Sequence, residues 1–243
     1  MKRVLLISNS TLYGSGYLDH AEAEISDFIG KRVRVMFIPY ALHDRRAYTA
    51  QAECRFREMG LDFTSAHDVS NPSRAIEQAE IIFIGGGNTF RLLHELQQNQ
   101  LIDPIRRAVR AGTPYVGSSA GSIVACPSLK TTKDMPVLQP LSFEALGLVP
   151  FQISPHYLDP DPASTHMGET QEQRIRQFLE ENEEPVVGLR EGSILRVEGD
   201  AVTLKGPHSA RIFRRDLQPV EVSSGSNLHE LLVHHSSLAG LVA

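Results

Sequence analysis

Tyr115-Val116-Gly117-Ser118-Ser119-Ala120-Gly121-Ser122-Ile123-Val124-Ala125-Cys126-Pro127 sets three serines and two glycines directly behind strand-forming residues. The register of the glycines separates the serines. G-x-S-x-G fits with Ser119 at its centre, between Gly117 and Gly121; centring on Ser118 would need glycine at Val116 and Ala120, and centring on Ser122 would need it at Ala120 and Val124. A strand, a sharp turn and a helix start in that order can expose a nucleophilic hydroxyl, and they can equally be a tight connection that needs small residues. The surrounding strands have to decide between these two.

Short apolar runs recur along the chain with helix-period stretches between them, a pattern that predicts a parallel sheet covered on both faces. The predicted strands are Val4–Ile7, Val33–Ile38, Ile81–Ile84, Pro114–Gly117, Phe151–Ser154 and Val186–Leu189. Predicted helices cover Tyr17–Phe28, Arg46–Met59, Thr89–Gln97, Ile102–Ala111 and Thr170–Leu179. The fold class is therefore α/β, a three-layer, mostly parallel, doubly wound sheet. Short alternating segments at Ser193–Val197, Ala201–Leu204 and Ala210–Phe213, separated by Glu198-Gly199-Asp200 and Lys205-Gly206-Pro207, predict a closing antiparallel meander. After Ser223, Leu228, Leu231 and Leu232 sit at helical spacing in a Ser- and His-containing tail, which is expected to be a short helix or a disordered end.

A chain of 243 residues with 41% hydrophobic residues suits one α/β domain, placed at residues 1–222, with 223–243 as the tail. The net charge of −5 comes without a long run of either sign, which argues against nucleic acid or a membrane surface as partner and favours a small molecule or peptide. Val4–Ile7 stops at Ser8-Asn9-Ser10, too short for a signal core or a membrane span. Cys54 and Cys126 read as buried reduced thiols, which points to a cytoplasmic location. His166, His208, His229, His234 and His235 lack metal-ligand spacing and are expected at the surface, so no metal and no cofactor is called for.

In open parallel sheets ligands bind beyond the carboxyl ends of the strands. Residues that follow the predicted strands are Ser8-Asn9-Ser10-Thr11, Gly85-Gly86-Gly87-Asn88-Thr89, Ser118-Ser119-Ala120-Gly121, Pro155-His156-Tyr157 and Arg190-Glu191-Gly192. One edge would thus collect a hydroxyl, an imidazole, a carboxylate and two amide-rich loops. A serine needs a base to take its proton, and the base needs an acid to orient it; Ser119, His156 and Glu191 could supply that set. The amides of Ala120 and Gly87 could meet a developing oxyanion. Asp134, in Thr131-Thr132-Lys133-Asp134-Met135-Pro136, is the rival acid, and a turn before proline is its alternative reading. Gly85–Gly87 lacks both the third glycine of G-x-G-x-x-G, where Phe90 stands, and a Walker lysine.

These residues together resemble peptidase E, the aspartyl dipeptidase family related in fold to class I glutamine amidotransferases. The likeness runs through Ser8–Thr11, Ile84–Phe90, Gly117–Gly121 with Ala125-Cys126-Pro127, Thr131–Pro136, Pro155-His156, Gly168-Glu169-Thr170 and Gly188–Gly192, from Met1 to about Val222. It implies a Ser119-His156-Glu191 triad, an oxyanion hole at Gly87 and Ala120, Asn88 on the substrate's free amino group, Asp134 as a supporting acid, and no metal. The implied activity is release of an N-terminal aspartate from Asp-X dipeptides and short peptides, with room for a homodimer. Where the family reads Gly-Glu-Thr-Arg, this chain has Gln171, so the arginine that the resemblance pairs with the substrate aspartate is missing; Arg174, Arg190 or another basic side chain would substitute in part, and a weaker preference for aspartate over Asn-Leu and Ala-Leu is expected. Restoring it by Gln171→Arg is expected to sharpen the preference for aspartate. The other readings that stay open are a cyanophycinase-like hydrolase of β-aspartyl peptides and a flavodoxin-like binding module without catalysis.

Overall fold

A computed structural model describes residues 1–165 and 167–233. The chain runs β1 (Arg3–Ile7), α1 (Glu22–Ile29), β2 (Arg34–Ile38), α2 (Arg45–Glu58), β3 (Asp62–Ser65), α3 (Pro72–Glu77), β4 (Ile81–Ile84), α4 (Thr89–Gln98), α5 (Ile102–Ala111), β5 (Tyr115–Ser118) and α6 (Ala120–Val124). It continues through β6 (Gln152–Pro155), α7 (Gln171–Glu181), β7 (Val186–Leu189), β8 (Ile194–Glu198), β9 (Ala201–Lys205), β10 (Ala210–Phe213) and β11 (Val220–Val222).

The main sheet has seven strands in the order β3-β2-β4-β5-β1-β8-β9, of which β3 through β1 are parallel. Because side chains alternate across a strand, β1 serves two cores. Leu5 and Ile7 pack with Phe28 of α1 and Tyr48, Ala52 and Phe56 of α2, while Val4 and Leu6 pack with Leu92 and Leu96 of α4, Ile105 of α5 and Ile123 of α6. The sheet is covered on both faces, as the continuous apolar strands demand.

The expected meander is divided between two sheets. β8 pairs antiparallel with β1 and β9 with β8, whereas β10 pairs with β7 and β11 in a second sheet of four strands, β11-β10-β7-β6. Phe151–Ser154 and Val186–Leu189, read as further strands of the main sheet, also belong to this second sheet, where β6 and β7 run parallel. Apolar patterning marks a strand but not its partner; the β1 edge is already taken by β8, so β6 and β7 associate apart and pack Ile153, Val187 and Leu189 into the core shared with α4 and α5.

Three elements escaped the sequence pattern, the three-residue edge strand β11 among them. β3 is a half-polar edge strand, and α3 is a single six-residue helix whose start is nonetheless signalled by Asn71 capping the Arg74 amide with Pro72 at the first position. Cys126 is buried as expected, but Cys54 is exposed, on the outward side of α2. In the tail, Leu228 and Leu231 are buried on the core beside β9, with one 3₁₀ turn at His229–Leu232 in place of a longer helix. The rest of the predicted tail, with His234 and His235, lies outside the described residues, as does His166.

Candidate active site

β1 and β5 are neighbours in register, Ile7 beside Ser118, so the loops that follow them leave the sheet together. Ser119 begins the turn into α6 at φ 51° and ψ −110°, a strained setting for a residue with a Cβ. The flanking glycines make this turn possible. A Cβ on Gly117 would lie 2.5 Å from the Gly121 carbonyl oxygen, and one on Gly121 would lie 2.0 Å from that of Ile84. G-x-S-x-G is thus a close-approach requirement between β5, α6 and β4.

The three serines have different fates. Ser118 is fully buried in β5, and Ser122 is buried with its hydroxyl donating to the carbonyls of Ile7 and Gly117. Ser119 alone opens to the cleft, with Oγ 3.0 Å from His156 Nε2. His156 Nδ1 lies 2.6 Å from Glu191 Oε1. A carboxylate can only accept, so Nδ1 carries the proton and Nε2 presents its lone pair to the serine.

Second-sheet strands position both partners. His156 follows β6 at φ 51°, and its amide donates to Ser8 Oγ (2.9 Å), which in turn donates to the Leu189 carbonyl at the end of β7 (2.8 Å). Glu191 occupies the turn after β7, where the Gly192 amide donates to Asn9 Oδ1 at 2.8 Å. Ser8 and Asn9 are buried, and they brace the imidazole and the carboxylate from β1. The sequence displayed this pair at a strand end without disclosing what it holds.

Ser119, His156, Gly86, Gly87, Asp134, Tyr48 and Leu42 line an open cleft of about 420 Å³. The Gly85–Gly87 loop is held tightly: a Cβ on Gly85 would overlap the Tyr48 hydroxyl, and one on Gly87, at φ 133°, would lie 2.7 Å from the Ala41 carbonyl oxygen. Tyr48 is buried, which pushes its phenol up to about 12, so its hydroxyl stays protonated beside the loop. Among the described residues the amides of Gly87 and Ala120 donate to no protein acceptor.

Asp134 lines the cleft but makes no hydrogen bond to the imidazole among the described residues. Its Oδ2 accepts from the Thr89 amide (2.7 Å) and hydroxyl (2.6 Å) at the start of α4, and the geometry gives the histidine to Glu191. Asn88 caps the same helix, with Oδ1 accepting from the Arg91 amide and Nδ2 donating to the Met135 carbonyl. Gln171, first residue of α7, lies on the other side of His156. Its Nε2 donates to the His156 carbonyl at 3.1 Å, and its Oε1 accepts from Lys133 Nζ at 3.1 Å and from the Leu158 amide at 3.2 Å. Arg190 is committed elsewhere, to Asp159 and Glu221. No cluster of potential metal ligands occurs among the described residues. No helix among them is long and apolar enough to cross a membrane.

Comparison with known proteins finds relatives along most of the chain. Residues 4–205 match Peptidase family S51. A Streptomyces coelicolor protein named Peptidase E is 53% identical over 229 residues, covering 94% of each chain. A Drosophila melanogaster protein named Probable alpha-aspartyl dipeptidase is 45% identical over 234 residues, covering 95% of this chain and 98% of its own. The fold matches the crystal structure of a putative Peptidase E protein from Listeria monocytogenes, with a TM-score of 0.66 at 21% identity over 86% of this chain and 100% of the other.

Proposed function

This chain belongs to peptidase family S51, and from that premise we propose that it is a serine exopeptidase that releases the N-terminal aspartate of Asp-X dipeptides and short Asp-initiated peptides. The observation that carries the mechanism is the hydrogen-bonded line from Ser119 Oγ through His156 to Glu191, at 3.0 and 2.6 Å.

Ser119 attacks the carbonyl of the first residue while His156 Nε2 takes its proton; Glu191 holds the tautomer and stabilises the imidazolium. The carbonyl oxygen becomes an oxyanion facing the amides of Gly87 and Ala120, each such donor being worth about a hundredfold to a thousandfold in rate. As the tetrahedral species collapses, His156 returns the proton to the departing amine. Water then repeats the sequence on the acyl-Ser119 ester, with His156 again as base. Strain at Ser119 fits this role, since the positive φ turns the hydroxyl out of the sheet edge toward the histidine.

A dipeptidase must also hold a free amino terminus. Asp134 Oδ1 accepts no hydrogen bond among the described residues and faces the same cleft, and Asn88 Oδ1 keeps one lone pair beyond its helix cap. Short peptides with N-terminal aspartate are the partners, acting in the cytoplasm. The test is turnover of Asp-Leu, N-acetyl-Asp-Leu and β-Asp-Leu: hydrolysis of the first alone supports the reading. Preference for β-Asp-Leu would turn it to a cyanophycinase-like hydrolase, and no turnover by a folded protein would reject catalysis.

A further inference from the structure

Lys133 is a cation placed among neutral oxygens. The residue as a whole is exposed, yet its ammonium turns inward and donates to the carbonyls of Pro155 (2.7 Å) and His156 (3.3 Å) and to Gln171 Oε1 (3.1 Å). Among the described residues no carboxylate forms an ion pair with it. It borders a crevice of about 70 Å³, lined also by Thr131, Ser154, Gln171, Arg174 and Phe178. That is well above the roughly 10–15 Å³ that one water needs, and it admits a carboxylate.

Arg174 provides a second cation on the same crevice, held only loosely by Glu169 at 3.7 Å. Lys130, the third basic residue at its edge, is occupied by Asn182. Lys133 and Arg174 thus bring two cations to one crevice, and like charges held together are relieved by a counter-charge. The Lys133 ammonium bonds the backbone carbonyl of the same His156 whose ring meets Ser119.

We propose that Lys133 reads the side-chain carboxylate of the substrate's N-terminal aspartate, supplying the positive charge that Gln171 lacks, with Arg174 as the second cation of that site. The inference rests on the exopeptidase reading above. Positions 133 and 171 are in hydrogen-bond contact; with a neutral amide at 171, the charge of the pair resides on 133.

A second property of Lys133 gives an independent readout. Burial pulls its ammonium down to about 8; Arg174 acts in the same direction, and Asp134 and Glu191 act against it. Since kcat/KM follows the free enzyme, the preference for Asp-Leu over its neutral isostere Asn-Leu must decline between pH 7 and 9 as Lys133 loses its proton. The amino terminus common to both dipeptides cancels in that ratio.

The experiment measures kcat/KM for Asp-Leu, Asn-Leu and Ala-Leu with the parent protein, Lys133→Met and Lys133→Arg, and calorimetric binding of Asp-Leu and Asn-Leu to Ser119→Ala with and without Lys133→Met. Lys133→Met should lower Asp-Leu turnover about tenfold to a hundredfold more than Asn-Leu turnover, and Lys133→Arg should keep the preference. An equal loss on all three dipeptides, an unchanged Asp-to-Asn ratio, or a parent ratio flat from pH 7 to 9 overturns the assignment. The last needs no variant to fold. If the parent cleaves no dipeptide while Asp-Leu binding still depends on Lys133, the exopeptidase reading fails and the anion site stands. Cleavage with a ratio indifferent to Lys133 has the opposite meaning.

Discussion

Ser8 and His156 are 148 positions apart in sequence, and one hydrogen bond of 2.9 Å, from the His156 amide to the Ser8 hydroxyl, fixes the backbone under the imidazole. That hydroxyl also donates to Leu189 and is fully buried; removing it strands the His156 amide, at a cost of about 1–3 kcal/mol, while the Leu189 carbonyl keeps the Tyr157 amide. Misplacing a reacting group by about 1 Å costs up to about a hundredfold. Ser8→Ala should therefore reduce kcat about tenfold to a hundredfold with KM nearly unchanged. A proportional rise in KM, or no kinetic change, would show that Ser8 only stabilises the fold.

The serine register gives a second test. Ser119→Ala should abolish turnover with little change in melting temperature, since among the described residues its hydroxyl bonds only the histidine. Ser122→Ala should do the reverse, retaining catalysis while losing about 1–3 kcal/mol, because it leaves two carbonyls with one fewer buried donor. Ser118→Ala should affect neither strongly. Loss of turnover confined to Ser118→Ala would displace the nucleophile by one residue.

For the acids, Glu191→Gln should lower kcat by about a thousandfold or more, because an amide neither fixes the tautomer nor stabilises the imidazolium. Asp134→Asn should instead raise KM and lower the melting temperature, as its carboxylate caps the start of α4 through Thr89. Steady-state kinetics beside thermal melts distinguish the two, and a reversed ranking would make Asp134 the triad acid.

Gln171→Arg, expected from sequence to sharpen aspartate selectivity, has a different prospect once Lys133 is seen 3.1 Å from the glutamine oxygen. A guanidinium there would confront the ammonium. The single variant should melt lower and show an Asp-to-Asn ratio no higher than the parent, whereas Lys133→Gln combined with Gln171→Arg should recover the ratio. A sharper ratio in the single variant would show that both cations fit.

Much of this was legible before any coordinates. Strands announced by unbroken apolar runs, such as β1 and β4, and the loops beyond them could be located because burial on both faces leaves no other composition. The order of Ser119, His156 and Glu191 could be inferred because each follows a strand. The division into two sheets could not, since Ile153 and Val187 would look the same in either. Nor could the employment of Lys133, two of whose three partners are backbone carbonyls that any sequence supplies.

Ser119, the proposed nucleophile, hangs from the main sheet, while His156 and Glu191, its proposed base and acid, hang from the smaller one. Catalytic competence is therefore a gauge of how the two sheets are docked. A few tenths of an ångström of slip between them would lengthen the contact between Ser119 and His156 before any strand melts, so in rising denaturant the enzyme should fall silent while its circular dichroism is still that of the folded protein.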